Sequence, residues 1–481
     1  MPRPTRFRTL VATAIAILLP GMASAQQYVP SRDAHPPGQH FTPNIHVASH
    51  IPLGAPLTVA DIEVEQELER PYAYVARRVV AGLDVISLED PDNAEVIYRW
   101  RIENAGLHQG SGPLDVKYFK LEGRYYVILA VQFNSGGPNT DLGAIVFDVT
   151  SLPDTSGIRE VGRISVPEFP GGFHNIFAYR HSDGRAYLFA TVESPVESEE
   201  GARIYDLGLF LDGAPDDGLV GYISLPEPRG APRGYHDAYV AYDPATGQDK
   251  FYGGGPESSP LGGHFVWDVS DIRNPELLAS VVGIPTMQSG GHTFVATPDH
   301  RHVMTVTTSL GHNPVRFFDL QPALDGEVEV ISAPVGHWTP DPTKSVHMLE
   351  VRWPYVFVAG YTSGLQVVYM RDPSDPFTYG YWDTYPRNDP AMVTVGREAR
   401  GMFGVDVRNA DGLIVGSDLH SGFWAFRMDG FTGWNGHGWG VPNSSSAQDW
   451  DNGPDLVGPE GPGLGLGLPA LDGIPWSEQD H

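Results

Sequence analysis

Along most of this chain, apolar and β-branched residues come in short runs closed off by Gly, Asp and Pro. Tyr125–Val131, Ala186–Ala190 and Tyr355–Ala359 are typical. Runs of this length and makeup, bounded by turn formers, predict strands. Beyond the first 25 residues no amphipathic helical period of useful length appears. The 56 glycines and 43 prolines fit the same turn-rich, all-β reading.

The runs recur in a fixed order. Each unit opens with a short polar-tipped strand, and the tip residues form the series Asp61, Asp115, His174, His236, His292, His347 and Asp406, spaced 54 to 62 residues apart. A second strand follows, then a third ending in an aspartate-rich turn such as those at Asp148, Asp268 and Asp319, then an outer strand such as Glu276–Val282. Four strands in about 57 residues make one blade, so the expected fold is an all-β, seven-bladed β-propeller of four-stranded blades. The seventh unit lacks an outer strand after Phe423–Phe426, whereas Asn44–Pro52 has the outer-strand pattern and precedes the first unit. This N-terminal strand is therefore expected to complete the last blade and close the ring, which removes open sheet edges.

The expected organisation is a signal peptide over 1–25, an N-terminal extension over 26–43, the propeller over 44–431, and a Gly/Pro-rich C-terminal tail over 432–481 read as loop or disorder. Arg3, Arg6 and Arg8, an apolar stretch from Leu10 to Pro20 and the small-residue site Ala23-Ser24-Ala25 carry the signal reading. It implies an exported protein, periplasmic or secreted. No later apolar run is long enough for a transmembrane span.

The three arginines of the signal belong to 31 basic residues in all. From Gln26 onward the chain carries 28 bases against 59 acids, a net charge of −31. Only four lysines occur. Such a surface argues against nucleic acid and anionic membranes, which are recognised through basic patches. The absence of cysteine excludes thiolate chemistry and disulfides, and leaves His or Met for any soft-metal site.

Several stretches resemble the LVIVD-repeat family of exported bacterial propellers, which includes the choice-of-anchor B proteins. They are Gly172-Phe173-His174-Asn175-Ile176 with Gly184-Arg185-Ala186-Tyr187, Tyr235-His236-Asp237, and Gly291-His292-Thr293 with Asp299-His300-Arg301. Val269-Ser270-Asp271-Ile272-Arg273-Asn274-Pro275 and Gly360-Tyr361-Thr362-Ser363-Gly364-Leu365 extend the likeness over roughly residues 44–428. The resemblance implies fold and export, and little about activity. The chain departs from it in lacking an obvious anchoring domain.

Equivalent residues at the starts of inner strands converge on a propeller's axis. His174, His236, His292 and His347, with Asp61, Asp115 and Asp406 as further candidates, are therefore expected at one channel mouth, where imidazoles and carboxylates suit a divalent transition metal such as Fe, Cu or Zn. Loops on the same face carry His264, His312, His420, Tyr361, Glu193 and Glu257, candidates to line a substrate pocket. His300-Arg301-His302 falls in a hairpin on the opposite face and reads as surface. Two functions follow. One is a metalloenzyme, oxidative or hydrolytic, acting on a small molecule. The other is a non-catalytic binding or scaffold propeller that takes a small molecule or protein on its face. A monomer is expected in either case. No nucleophile elbow, P-loop, zincin or EF-hand spacing is present.

Overall fold

The computed structural model describes residues 38–166, 171–191, 200–226, 234–256, 262–284, 291–307, 314–340, 346–385, 400–434 and 448–454. The segment read as a signal lies outside these residues. Seven four-stranded antiparallel sheets make up a seven-bladed β-propeller, as the repeat predicts. The inner strands of blades 1 to 7 are Ile62–Val64, Gly112–Leu121, Ile176–Arg180, Asp237–Asp243, Phe294–Ala296, Leu349–Arg352 and Met402–Val407. Among the described residues no helix is long and apolar enough to cross a membrane.

Blade 7 is built from both ends of the repeat region. Ile45–Ile51 pairs antiparallel with Gly422–Met428, running from Ile45 opposite Met428 to Ile51 opposite Phe423. The outer strand missing from the last repeat is thus supplied from the front of the chain.

Alternation along the strands places apolar side chains between blades. Tyr235, Phe251 and Phe265 meet edge to face, with ring centroids 5.2 and 6.2 Å apart. Polar hooks link neighbouring blades on the face away from the inner-strand starts. Tyr179 donates to Asp249 at 2.6 Å, and Arg352 donates to the Val407 carbonyl at 2.7 Å. His300 belongs to this set and is a correction to its reading as surface. It is 1% exposed and lies 2.6 Å from the Tyr252 hydroxyl, because its hairpin folds onto blade 4. Asp148, Asp268 and Asp319 each accept an amide two residues on, as turn formers do.

The C-terminal tail is partly bound to the ring. Trp434 is buried and donates to the Trp353 carbonyl. Gln448 accepts from the Arg180 amide and donates to the Ala178 carbonyl, at 2.6 and 2.7 Å. Trp450 is buried beside Tyr118 and Phe119. Gln448 and Trp450 join the far ends of the inner strands of blades 3 and 2.

Candidate functional site

The four histidines come together as a continuous arc over blades 3 to 6. Ring centroids lie 4.2 Å apart for His174 and His236, 3.9 Å for His236 and His292, and 4.9 Å for His292 and His347. Phe403 of blade 7 lies tilted against His347 at 3.9 Å, and Tyr361 lies 5.1 Å from the same ring. Glycine permits this crowding. A Cβ on Gly254 would stand 1.7 Å from the His292 carbonyl oxygen.

Three of the rings are oriented by oxygen acceptors. Nδ1 of His347 lies 2.7 Å from the Phe403 carbonyl, which can only accept. Nδ1 of His174 lies 2.6 Å from Gln132 Oε1. Nδ1 of His292 lies 2.9 Å from Thr293 Oγ1, whose own proton can go to Asp237 at 2.8 Å or the His347 carbonyl at 2.9 Å. A neutral ring that donates from Nδ1 presents a lone pair at Nε2. Burial holds His292 well below the usual histidine range, and its histidine neighbours add to the effect. Burial likewise lowers His347 to about 4. Both rings are therefore neutral at pH 7. The rings lie side by side, tilted or edge-on to one another, and among the described residues no three His, Asp or Glu side chains already form a group that could hold a metal ion.

The three aspartates are not members of this arc. Ala60 donates its amide to Ala76 across the first strand pair, as His174 does to Thr191 and His347 to Ala359. Ala60 thus holds the histidine place in blade 1, and Asp61 comes one residue later. Asp115 faces Ala130 as Asp237 faces Gly254, so it too sits one step below the mouth. In blade 7, Phe403 meets His347 and Asp406 lies three residues further in.

Their side chains instead build a charged layer in the channel. Lys117 Nζ lies 2.7 Å from Asp115, 2.9 Å from Asp61 and 3.7 Å from Glu63. Arg352 serves Glu350 at 2.8 Å and Asp406 at 3.5 Å. Asp115 also accepts the amide of Ile176 in the next blade, and Asp406 that of Val64. Asp61, Glu63, Asp237, Glu350 and Lys117 line a small cavity in the channel, and Asp115, Asp406 and Arg352 stand beside it. Burial pushes Glu63 and Asp115 well above the usual carboxyl range, Glu350 up to about 7 and Asp237 up to about 6. Burial alone would lower Lys117, but Asp115, Asp61 and Glu63 override it and hold the ammonium well above its ordinary value.

The remaining candidates separate. Tyr361 joins the arc, as above. His264 is fully buried between blades 4 and 5, with its ring 5.0 Å from Phe294. His420 is partly buried in a turn of blade 7, where its Nδ1 lies 3.4 Å from the Gly401 amide. Glu193, Glu257 and His312 lie outside the described residues. Sequence reasoning missed Glu63, Lys117, Glu350 and Arg352. Their signal was a charged residue inside an inner strand, two positions beyond a blade's aspartate or within three to five of its ring histidine.

The fold and this face define a seven-bladed propeller with a histidine-lined channel mouth above a buried acidic layer. No known family model matches the chain, and none of the curated proteins compared with it does.

Proposed function

We propose that the protein is an exported propeller of the LVIVD-repeat type whose histidine arc binds a divalent transition metal ion and serves as the centre of a metalloenzyme acting on a small molecule. The observation that carries this reading is the common orientation of His174, His292 and His347. Each holds Nδ1 at hydrogen-bond distance from an oxygen, and a ring that donates there, as His347 must to the Phe403 carbonyl, has the arrangement that commonly supports metal-ligating histidines and leaves Nε2 as the donor atom. Neutral rings at pH 7 favour the same chemistry, because only the unprotonated nitrogen binds metal. Holding one ion would require the rings to turn from their present side-by-side positions. A bound divalent ion would polarise a substrate oxygen or activate water or dioxygen.

The tilted, unconverged state of the rings favours a second reading, a non-catalytic binding propeller whose mouth takes a ligand without metal. Elemental analysis of protein purified without an affinity tag separates the two. Under the first reading, a transition metal is present at one equivalent and is lost in His236→Ala/His292→Ala. Metal-free protein that also fails to take up Fe(II), Cu(II) or Zn(II) rejects it.

A further inference from the structure

Buried arginines in this protein generally meet a carboxylate. Arg70 pairs with Glu65, Arg77 with Asp84, and Arg352 with Glu350. Arg316 breaks the pattern. It is 6% exposed, forms no ion pair among the described residues, and its Nη1 has no hydrogen-bond partner. Its surroundings are unsatisfied as well. Thr305 Oγ1 and Thr307 Oγ1 are buried without a hydrogen bond, and His264 beside them turns its ring toward the Val306 backbone. All four residues are more than nine-tenths buried.

They share one seam. Thr305 and Arg316 are cross-strand partners in blade 5, so their side chains leave the sheet on the same face, and Thr307 follows Thr305 by two. Phe294 also faces Thr305, and its ring lies against His264 of blade 4. The group therefore lies between blades 4 and 5. Thr305 ends a second strand, and His264 and Arg316 each stand second in a third strand. In this topology those positions are all at the mouth end, beside His292. Each orphaned polar atom is costly to bury, and an uncompensated buried charge more so. Among the described residues no acidic side chain pairs with Arg316.

We infer that this seam is a binding site for an oxyanion, the carboxylate or phosphate group of a small-molecule ligand. Arg316 supplies the counter-charge, and the Thr305 and Thr307 hydroxyls supply neutral donors. A cation is repelled by the guanidinium. Water can satisfy some of the donors and leaves the charge uncompensated, whereas an oxyanion answers both. The inference stands independently of metal at the arc.

The test is thermal unfolding of metal-depleted protein in Tris chloride, with sodium acetate, sodium phosphate or additional sodium chloride at equal ionic strength. Acetate or phosphate is expected to raise the midpoint and chloride is not. A response to phosphate alone assigns a phosphoryl ligand, and a response to acetate assigns a carboxylate. Arg316→Met is expected to raise the midpoint without added anion and to abolish the response. Thr305→Val, nearly isosteric, is expected to weaken anion binding at least tenfold and carries the test if Arg316→Met misfolds. Equal midpoints in all three salts overturn the inference, as does an undiminished anion response in Thr305→Val.

Discussion

Replacing Lys117 with Met tests the charged layer of the channel most directly. Methionine keeps the apolar stem and removes the ammonium. That ammonium now lies within 3 Å of both Asp115 and Asp61, with Glu63 at 3.7 Å, and its side chain is only 9% exposed. Arg352 is committed to Glu350 and Asp406. Breaking a buried pair by removing one partner typically costs 3–5 kcal/mol, because the other charge is left buried. Here three carboxyls lose a shared partner, so a loss of ~4 kcal/mol is expected at pH 8, read as a shifted denaturant midpoint at unchanged slope. The loss should shrink at pH 5. Glu63 and Asp115 are already held above the usual range by burial, and without Lys117 they take up protons more readily. Lys117→Met/Asp115→Asn should recover part of the loss, because it removes one orphaned charge. A loss below ~1 kcal/mol at pH 8, or one of equal size at pH 5, would show that the layer is not held by Lys117.

Three further outcomes follow from the same geometry. Glu350 keeps its proton up to about pH 7 in the folded chain and loses it earlier when unfolded, so stability should fall by ~2–3 kcal/mol as pH rises from 4.5 to 7. Glu350→Gln should flatten that part of the pH–stability curve, and an unchanged slope would refute the assignment. Gly254→Ala should cost at least ~2 kcal/mol by driving a methyl group into the His292 carbonyl, with an unshifted denaturation midpoint as the contrary result. Deleting residues 44–52 should expose the edge of Gly422–Met428 and give self-associated species on size-exclusion chromatography; a monodisperse monomer of full stability would argue against a closing strand.

The recurrence of apolar runs was enough to read the blades, their order and the strand at Ile45, since propeller strands carry their period locally. Register at the channel was harder. Asp61 and Asp115 look like counterparts of the histidines because each tips a strand, yet backbone pairing gives that place to Ala60 in blade 1 and places Asp115 below the mouth in blade 2. A one-residue offset moves a side chain to the other face of its strand, and alternation in sequence does not mark which polar face is wet. Glu63, Lys117 and Glu350 were invisible for the same reason. They alternate with apolar residues as solvent-facing side chains do, and only ring closure turns that face inward.

Pairing Ile45 with Met428 also sets an order of events. During synthesis the first strand must wait, unpaired, while six blades' worth of chain emerges, because its partner lies nearly at the end of the repeats. Six blades can form from local contacts, but the last joins residues almost four hundred positions apart and bears the loop-closure entropy of the whole ring. Completion of blade 7 is then expected to come last in folding, and a chain interrupted before Gly422 would hold two unfinished edges instead of a nearly finished ring.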